Sequence, residues 1–314
     1  MRTLIKWVGW ASAHRRNHGG LKPTLHVLRL QRGFTLIELV MVIALAGAVA
    51  VMISSALSRP LEGFIAQSRR AELVDLAAGA LNRMARDIRL AVPNSVHLNA
   101  GGTAIEMFNV LDAGRYRPNR LGGDGLRFTS DAAGTCNSST VDSSCNSFQV
   151  LDPGLLVAGA RWLVVYNIGA EDGGGPLAGS NVWAPANPGV ITPGGTGFAI
   201  SGGAPAGETL LTLTPPAGSF SFAYASPQRR FYLADQIVGY RCGGGQLLRF
   251  TRTDSGAPWF SGAGAVQASN VTACSMSYQP GSSQRAGLVT LGLTLTLEGE
   301  SIELFQQVHV DNAP

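Results

Sequence analysis

The hydrophobic pattern begins with one long apolar run. Residues 34–57 are almost entirely apolar and carry a single charged side chain, Glu38. A helix of this length, rising about 1.5 Å per residue, crosses a hydrocarbon core of roughly 30 Å. An ionised carboxylate inside that core costs about 2.5–3.5 kcal/mol on insertion scales. The run therefore predicts a membrane helix, and Glu38 needs a partner that neutralises it.

An amphipathic pattern follows in residues 58–93. Pro60 predicts a kink at the membrane edge, because proline removes a helical hydrogen-bond donor, and Pro93 predicts the end of the helix. Between them, apolar residues recur at helical spacing and form one stripe: Leu73, Leu76, Ala80, Met84, Ile88 and Ala91. The stripe predicts a helix that packs against the core of a domain.

The pattern of residues 94–314 is β-like, with short apolar runs separated by Gly, Pro, Ser and Asn. We predict strands at 96–98, 104–110, 161–168, 209–213, 231–241, 246–252, 271–278, 288–297 and 302–310. Glycine-containing turns at 99–102, 243–245 and 298–300 predict hairpins. Residues 169–207 lack periodicity, which predicts a long, mobile surface excursion. The expected fold class is α+β, with a long N-terminal helix packed on an antiparallel, β-rich globular domain.

The charge is unevenly distributed. The chain has a net charge of +4, but residues 1–33 hold seven of its 24 cations and no acid, which leaves 17 cations against 20 acids in the rest. The part after residue 33 is thus slightly negative, and we expect no nucleic-acid partner. Arg29 and Arg32 precede the apolar run and keep that end cytoplasmic by the positive-inside rule, so everything after residue 57 is expected outside the cytoplasm.

All four cysteines lie in the part expected to be exported, where disulfides persist. Three pairings are possible, and the sequentially nearest, Cys136–Cys145 with Cys242–Cys274, is favoured; free thiols are the alternative. A zinc site is less favoured because no Cys-x-x-Cys occurs and the exported part has only two histidines. We expect no cofactor.

Residues 29–33, Arg-Leu-Gln-Arg-Gly, followed by Phe-Thr-Leu-Ile-Glu, resemble the prepilin signal of type IV pilins and type II secretion pseudopilins. The resemblance implies a type IV pilin-like fold and cleavage by a prepilin peptidase between Gly33 and Phe34, with N-methylation of Phe34. It also implies that Glu38 pairs with the terminal amine of a neighbouring subunit and sets the assembly register. An ordinary signal anchor and a cleavable secretory signal are the alternatives to this interpretation.

Segments beyond the signal resemble minor prepilins of the mannose-sensitive haemagglutinin (MSHA) type IV pilus system, and the helix is similar to that of J-type minor pseudopilins. The likeness rests on residues 71–77, 80–96, 229–235, 240–242, 271–278, 285–291 and 307–314. It implies three partners: the peptidase, other minor and major pilins, and an inner-membrane assembly platform. The implied role is initiation or capping of the pilus, from the inner membrane to the pilus tip on the cell surface. Residues 136–145 and 169–207 match nothing in that family.

Three alternative functions compete with this interpretation. An enzyme is disfavoured because Gly-x-Ser-x-Gly, His-Glu-x-x-His and Walker-type motifs do not occur, and because His97 and His309 lie in predicted strands. A tip adhesin is the stronger rival, since Trp183 and Trp259, expected to be exposed, could stack on sugar rings. A type II secretion pseudopilin is the alternative within the same class.

The leader is unusually long at 33 residues. No methionine follows Met1 within it, but bacterial translation can begin at valine or leucine codons. A start at Val27 or Leu28 would give a short basic leader that keeps Arg29 and Arg32. We therefore expect residues 1–26 to be an extension without function.

Overall fold

The computed structural model describes residues 33–119, 125–129, 136, 143–201, 205–216, 218–256, 258–281 and 286–310. The predicted leader up to residue 32, with Arg29 and Arg32, lies outside the described residues, as do residues 311–314. In the described part, one long helix precedes strands that pair antiparallel, which confirms the α+β class. The chain divides into two compact units, Met1–Pro60 and Leu61–Pro314.

The helix α1 comprises Leu36–Arg89 and continues through Pro60. The ring at Pro60 leaves the carbonyl four residues earlier without its usual donor, yet the helix is not interrupted there. The predicted end at Pro93 is wrong by one turn. Residues after Arg89 pair with a strand instead: the amide of Val92 donates to the Phe108 carbonyl at 2.8 Å, and that of Val110 donates to the Leu90 carbonyl at 2.8 Å.

Fourteen strands are found in the described residues, together with a short 3₁₀ helix at Ser143–Asn146. They are β1 His97–Leu98, β2 Ala104–Arg115, β3 Ser147–Val150, β4 Trp162–Val164, β5 Glu171–Asp172, β6 Gly175–Pro176, β7 Gly197–Ser201, β8 Thr209–Thr214, β9 Arg230–Gly243, β10 Gln246–Arg252, β11 Gly264–Ser269, β12 Val271–Gln279, β13 Gly287–Leu297 and β14 Glu300–Val310.

The strands form four sheets. The main sheet has the order β1-β2-β9-β10-β11, with β4 also paired to β9, and the C-terminal sheet has the order β12-β13-β14. A third sheet has the order β3-β8-β7, and β5 pairs with β6. The three predicted hairpins are confirmed as β1–β2, β9–β10 and β13–β14. Strands β3, β5, β6, β7 and β11 were not predicted.

The predicted apolar stripe of α1 is confirmed as the helical side of the largest core cluster. Leu73, Ala80, Met84 and Ile88 are buried and pack with residues of the main and C-terminal sheets. Burial of each large aliphatic side chain stabilises the domain by roughly 1.5–3 kcal/mol. The part of the helix inside Leu61–Pro314 is thus held by packing.

The interpretation of residues 169–207 as a surface excursion is wrong for residues 179–183 and 189–192, which are buried. Val182, Trp183, Val190 and Ile191 are buried, and they form a second core cluster with residues of β2, β4 and β9. The segment has no periodicity because its described residues pack through turns, two two-residue strands and the five-residue β7 rather than through one long element. Its buried residues are part of the domain core.

Strand β9 contributes to every core cluster of the described residues. Its Val238 and Tyr240 lie in the cluster under α1, Phe231 and Leu233 lie in a third cluster with β3 and β8, and Ile237 lies in the Trp183 cluster. The main sheet is therefore the scaffold on which the other layers are placed.

Candidate functional site

The start of α1 is capped by Thr35. The amide of Glu38 donates to the Thr35 hydroxyl at 3.3 Å and to the Thr35 carbonyl at 3.0 Å. Thr35 thus occupies the N-cap position, with an acidic residue three positions later in the first turn, a spacing that satisfies free amides and suits the helix dipole. The helix therefore begins two residues after the Gly33–Phe34 bond.

The Gly33–Phe34 junction is open. Gly33 is exposed with no atom within 4 Å of a Cβ placed on it, and Phe34 is 79% exposed. The Glu38 side chain is also exposed, and within the described residues its carboxylate has no hydrogen-bond or ion-pair partner. The structure thus places the predicted cleavage, methylation and register residues within six positions of one another, all accessible.

The helix after this junction is apolar on all sides. Every described side chain from residue 36 to residue 57 is exposed, including Leu36, Ile43 and Met52. By length and composition, α1 can cross a membrane. A helix that is apolar all round is stable in lipid or inside an assembly, and less so in water.

The sequence around this junction matches a known family model. Residues 28–54 match the prokaryotic N-terminal methylation motif. The match includes Gly33, Phe34 and Glu38 and most of the apolar run, and it indicates a prepilin of the type IV pilin or pseudopilin kind. With the one membrane-length apolar helix found among the described residues, the motif indicates single-pass membrane anchoring of this prepilin-like chain. No curated protein and no solved structure matches the chain.

Both cysteine pairs of the prepilin-like chain are bonded. Cys136 joins Cys145, with Cα atoms 5.2 Å apart, and Cys242 joins Cys274, with Cα atoms 6.6 Å apart. This is the sequentially nearest pairing that the sequence favours. The second bond joins β9 of the main sheet to β12 of the C-terminal sheet, so it connects two layers of the domain.

Sequence reasoning missed a buried ion pair. Glu106 on β2 is fully buried and accepts hydrogen bonds from Arg252 Nη2 at 3.1 Å and from the Phe260 amide at 3.1 Å. His97 Nδ1 lies 3.6 Å from the same carboxylate, and the His97 ring contacts Trp259 at a centroid distance of 4.4 Å. A buried carboxylate needs such partners, and this cluster holds the β10–β11 loop against β1 and β2.

A second missed cluster attaches α1 to the main sheet. Asp87 accepts hydrogen bonds from the Tyr240 hydroxyl at 2.7 Å and from Arg249 Nε at 2.8 Å. Burial, together with the hydrogen bond to Asp87, raises the pKa of the Tyr240 phenol above its ordinary value of 10.0. No local sequence pattern could have shown these contacts, because the partners are more than 150 positions apart along the chain.

Three of the residues considered for rival functions lie together: the His97 ring contacts Trp183 at a centroid distance of 5.3 Å and Trp259 at 4.4 Å. Trp183 is 8% exposed and donates from Nε1 to the Ser95 carbonyl at 2.9 Å, so the expectation that it is exposed is wrong. Trp259 is 45% exposed. His97 lies in β1 and His309 in β14. Within the described residues, no group of three or more His, Cys, Asp and Glu side chains is placed to hold a metal ion.

Proposed function

We propose that this chain is a minor prepilin of an MSHA-type type IV pilus that helps to initiate or cap pilus assembly and thereby supports surface adhesion. The observation that carries the proposal is the methylation motif at 28–54, combined with an open Gly33–Phe34 junction directly before a capped helix whose first 22 residues carry no charge except Glu38. The likeness of residues 71–77, 80–96, 229–235 and 240–242 to MSHA biogenesis protein MshO supports the choice of the MSHA system.

In the proposed mechanism, the apolar helix first anchors the chain once in the inner membrane, with its N-terminus in the cytoplasm. The prepilin peptidase cuts after Gly33, and Phe34 receives the methyl group. The helix then leaves lipid and packs among the helices of other minor and major pilins, driven by the assembly platform. Glu38 has no partner within the described chain, and the amine of a neighbouring Phe34 would neutralise it inside the filament.

The β-rich domain has a structural role in this proposal, and no enzymatic activity is assigned to it. A type II secretion pseudopilin would use the same N-terminal machinery, and the neighbouring genes distinguish the two systems. A glycan-binding tip adhesin retains Trp259 as an exposed aromatic residue but loses Trp183 as a stacking platform. Glycan-array binding by the purified chain would support that alternative.

The test uses the distribution of primary amines. The only lysines are Lys6 and Lys22, both before the proposed cut, so cleavage leaves a chain whose single primary amine is that of Phe34. Methylation converts that amine to a secondary one. An o-phthalaldehyde assay with intact-mass measurement on chain co-expressed with the peptidase should therefore show no primary amine in the wild type.

Two variants separate the roles of Gly33 and Glu38. Gly33→Val places its side chain in open space, so it should leave folding unchanged and block cleavage by obstructing the peptidase. Glu38→Val should be cleaved normally but fail to enter pili. Glu62→Val, which changes another exposed glutamate of α1, is the matched control and should assemble. Loss of cleavage in Glu38→Val, or equal loss of assembly in Glu62→Val, would contradict the proposal.

A further inference from the structure

Two arginines lie directly opposite each other in the main sheet. Arg115 on β2 and Arg230 on β9 are register partners of an antiparallel pair, so their side chains emerge on the same face. Both line an open groove of about 410 Å³, together with Ala113 and Tyr232. The groove lies at the end of the longest strand pairing of the sheet, away from the Gly33–Glu38 junction in sequence.

Neither guanidinium has a carboxylate partner in the described part of the chain. Asp112 is the acidic residue of β2 nearest in sequence to Arg115, and Glu208 lies beside β8. The carboxylates of both residues already accept hydrogen bonds from other groups. Asp112 accepts hydrogen bonds from the amides of Ala113 and Leu156. Glu208 accepts one from Arg117 Nε at 2.6 Å. Like charges directly opposite across two strands destabilise a sheet, so the domain retains a charge pair that costs stability.

The backbone beneath the pair is fixed by hydrogen bonds. The Arg230 amide donates to the Ser226 hydroxyl at 3.1 Å, and the Ser226 amide donates to the Tyr116 hydroxyl at 2.9 Å. The Tyr116 amide in turn donates to the Arg229 carbonyl at 2.9 Å. These bonds join the residue after Arg115 to the turn before Arg230. The backbone positions of both arginines are therefore fixed before a ligand binds, which lowers the entropic cost of binding.

We propose that the Arg115–Arg230 groove binds a phosphate or sulfate group. Each guanidinium presents parallel N–H donors that match the oxygens of an oxyanion. One carboxylate is satisfied by a single such fork, whereas a tetrahedral oxyanion has enough oxygens to accept from two forks at once. A doubly charged anion also neutralises both arginines and removes their mutual repulsion. The group can be a free inorganic ion or a substituent of a polysaccharide.

The test measures thermal unfolding of the full chain in an uncharged detergent, with sodium phosphate or sulfate titrated against sodium chloride at equal ionic strength. The wild type should be stabilised by either oxyanion. In Arg115→Gln and Arg230→Gln, the half-saturating concentration should rise at least about tenfold, since a charged hydrogen-bonding partner is lost. Arg83→Gln, at an exposed position of α1, is the control and should respond as the wild type does.

The same variants give a second, independent result. In chloride alone, Arg115→Gln and Arg230→Gln should be at least as stable as the wild type, because each removes one of two repelling charges. Equal stabilisation of all four proteins by phosphate, or no stabilisation of the wild type, would overturn the proposal. Dextran sulfate distinguishes the two sources. If dextran sulfate stabilises the wild type at a lower total sulfate concentration than inorganic sulfate does, the bound group belongs to a polymer. If both stabilise it at the same sulfate concentration, the bound group is a free ion.

Discussion

The disulfide between Cys242 and Cys274 should stabilise the domain more than the one between Cys136 and Cys145. It closes a loop of 32 residues, against nine for the other bond. In the chain-entropy treatment, closing these loops in the unfolded state is worth about 3.7 and about 2.6 kcal/mol. For a domain of this size, about 3.7 kcal/mol corresponds to a fall in Tm of roughly 7–15 °C.

The assay is thermal unfolding of the full chain followed by circular dichroism, for Cys242→Ser, Cys274→Ser and the double variant. Each single variant should show the full loss, and the double variant should show no more, because either change breaks the same bond. Cys136→Ser should show a smaller loss. Additive losses in the double variant, or peptide mapping that joined Cys242 to Cys136, would refute the reasoning.

Two further predictions concern β9. In Gly239→Ala, the new Cβ would collide with the Phe250 ring, so we expect the free energy of unfolding in urea to fall by about 1–3 kcal/mol. Gly243→Ala is the control, because its Cβ has open space around it, and its free energy of unfolding should fall far less. Equal losses in the two variants would contradict the prediction. Tyr240→Phe removes the bond to Asp87 and should cost about 1–2 kcal/mol at neutral pH. Because the folded-state pKa of Tyr240 is raised, wild-type stability falls as pH rises above about 10, so the gap between the two proteins should narrow there.

The parts of the fold that a short stretch of sequence determines could be predicted. The apolar run, the stripe of α1 and the alternation along β9, β10 and β13 each depend on a repeat of two or of 3.6 residues, and their hairpin turns contain glycine. The Gly33, Phe34 and Glu38 motif is equally local. The helix was predicted too long because the residues before Pro93 pair with β2, a tertiary preference that outweighs local helical propensity.

Residues whose environment depends on distant partners could not be predicted. Trp183 is surrounded by turn-forming residues, which suggested exposure, but its ring is buried beside Phe108 at a centroid distance of 4.8 Å. Glu106 and Arg252 are 146 positions apart, and neither has a neighbour in sequence that indicates an ion pair. Their contact depends on the order and the register of β2, β9 and β10 in the main sheet.

The central position of β9 has a consequence for how the chain folds. Strand β2 pairs with β9, which begins more than one hundred residues later in the chain. The core cluster under α1 includes Val238 and Tyr240 of the same strand β9. Synthesis proceeds from the amino terminus, so the apolar stripe of α1 lacks much of its native cover until β9 and the C-terminal sheet have been made. Such non-local pairing makes folding slow, and uncovered apolar surface favours aggregation in the meantime. Each new copy therefore passes through an interval in which part of this apolar stripe is exposed and open to aggregation.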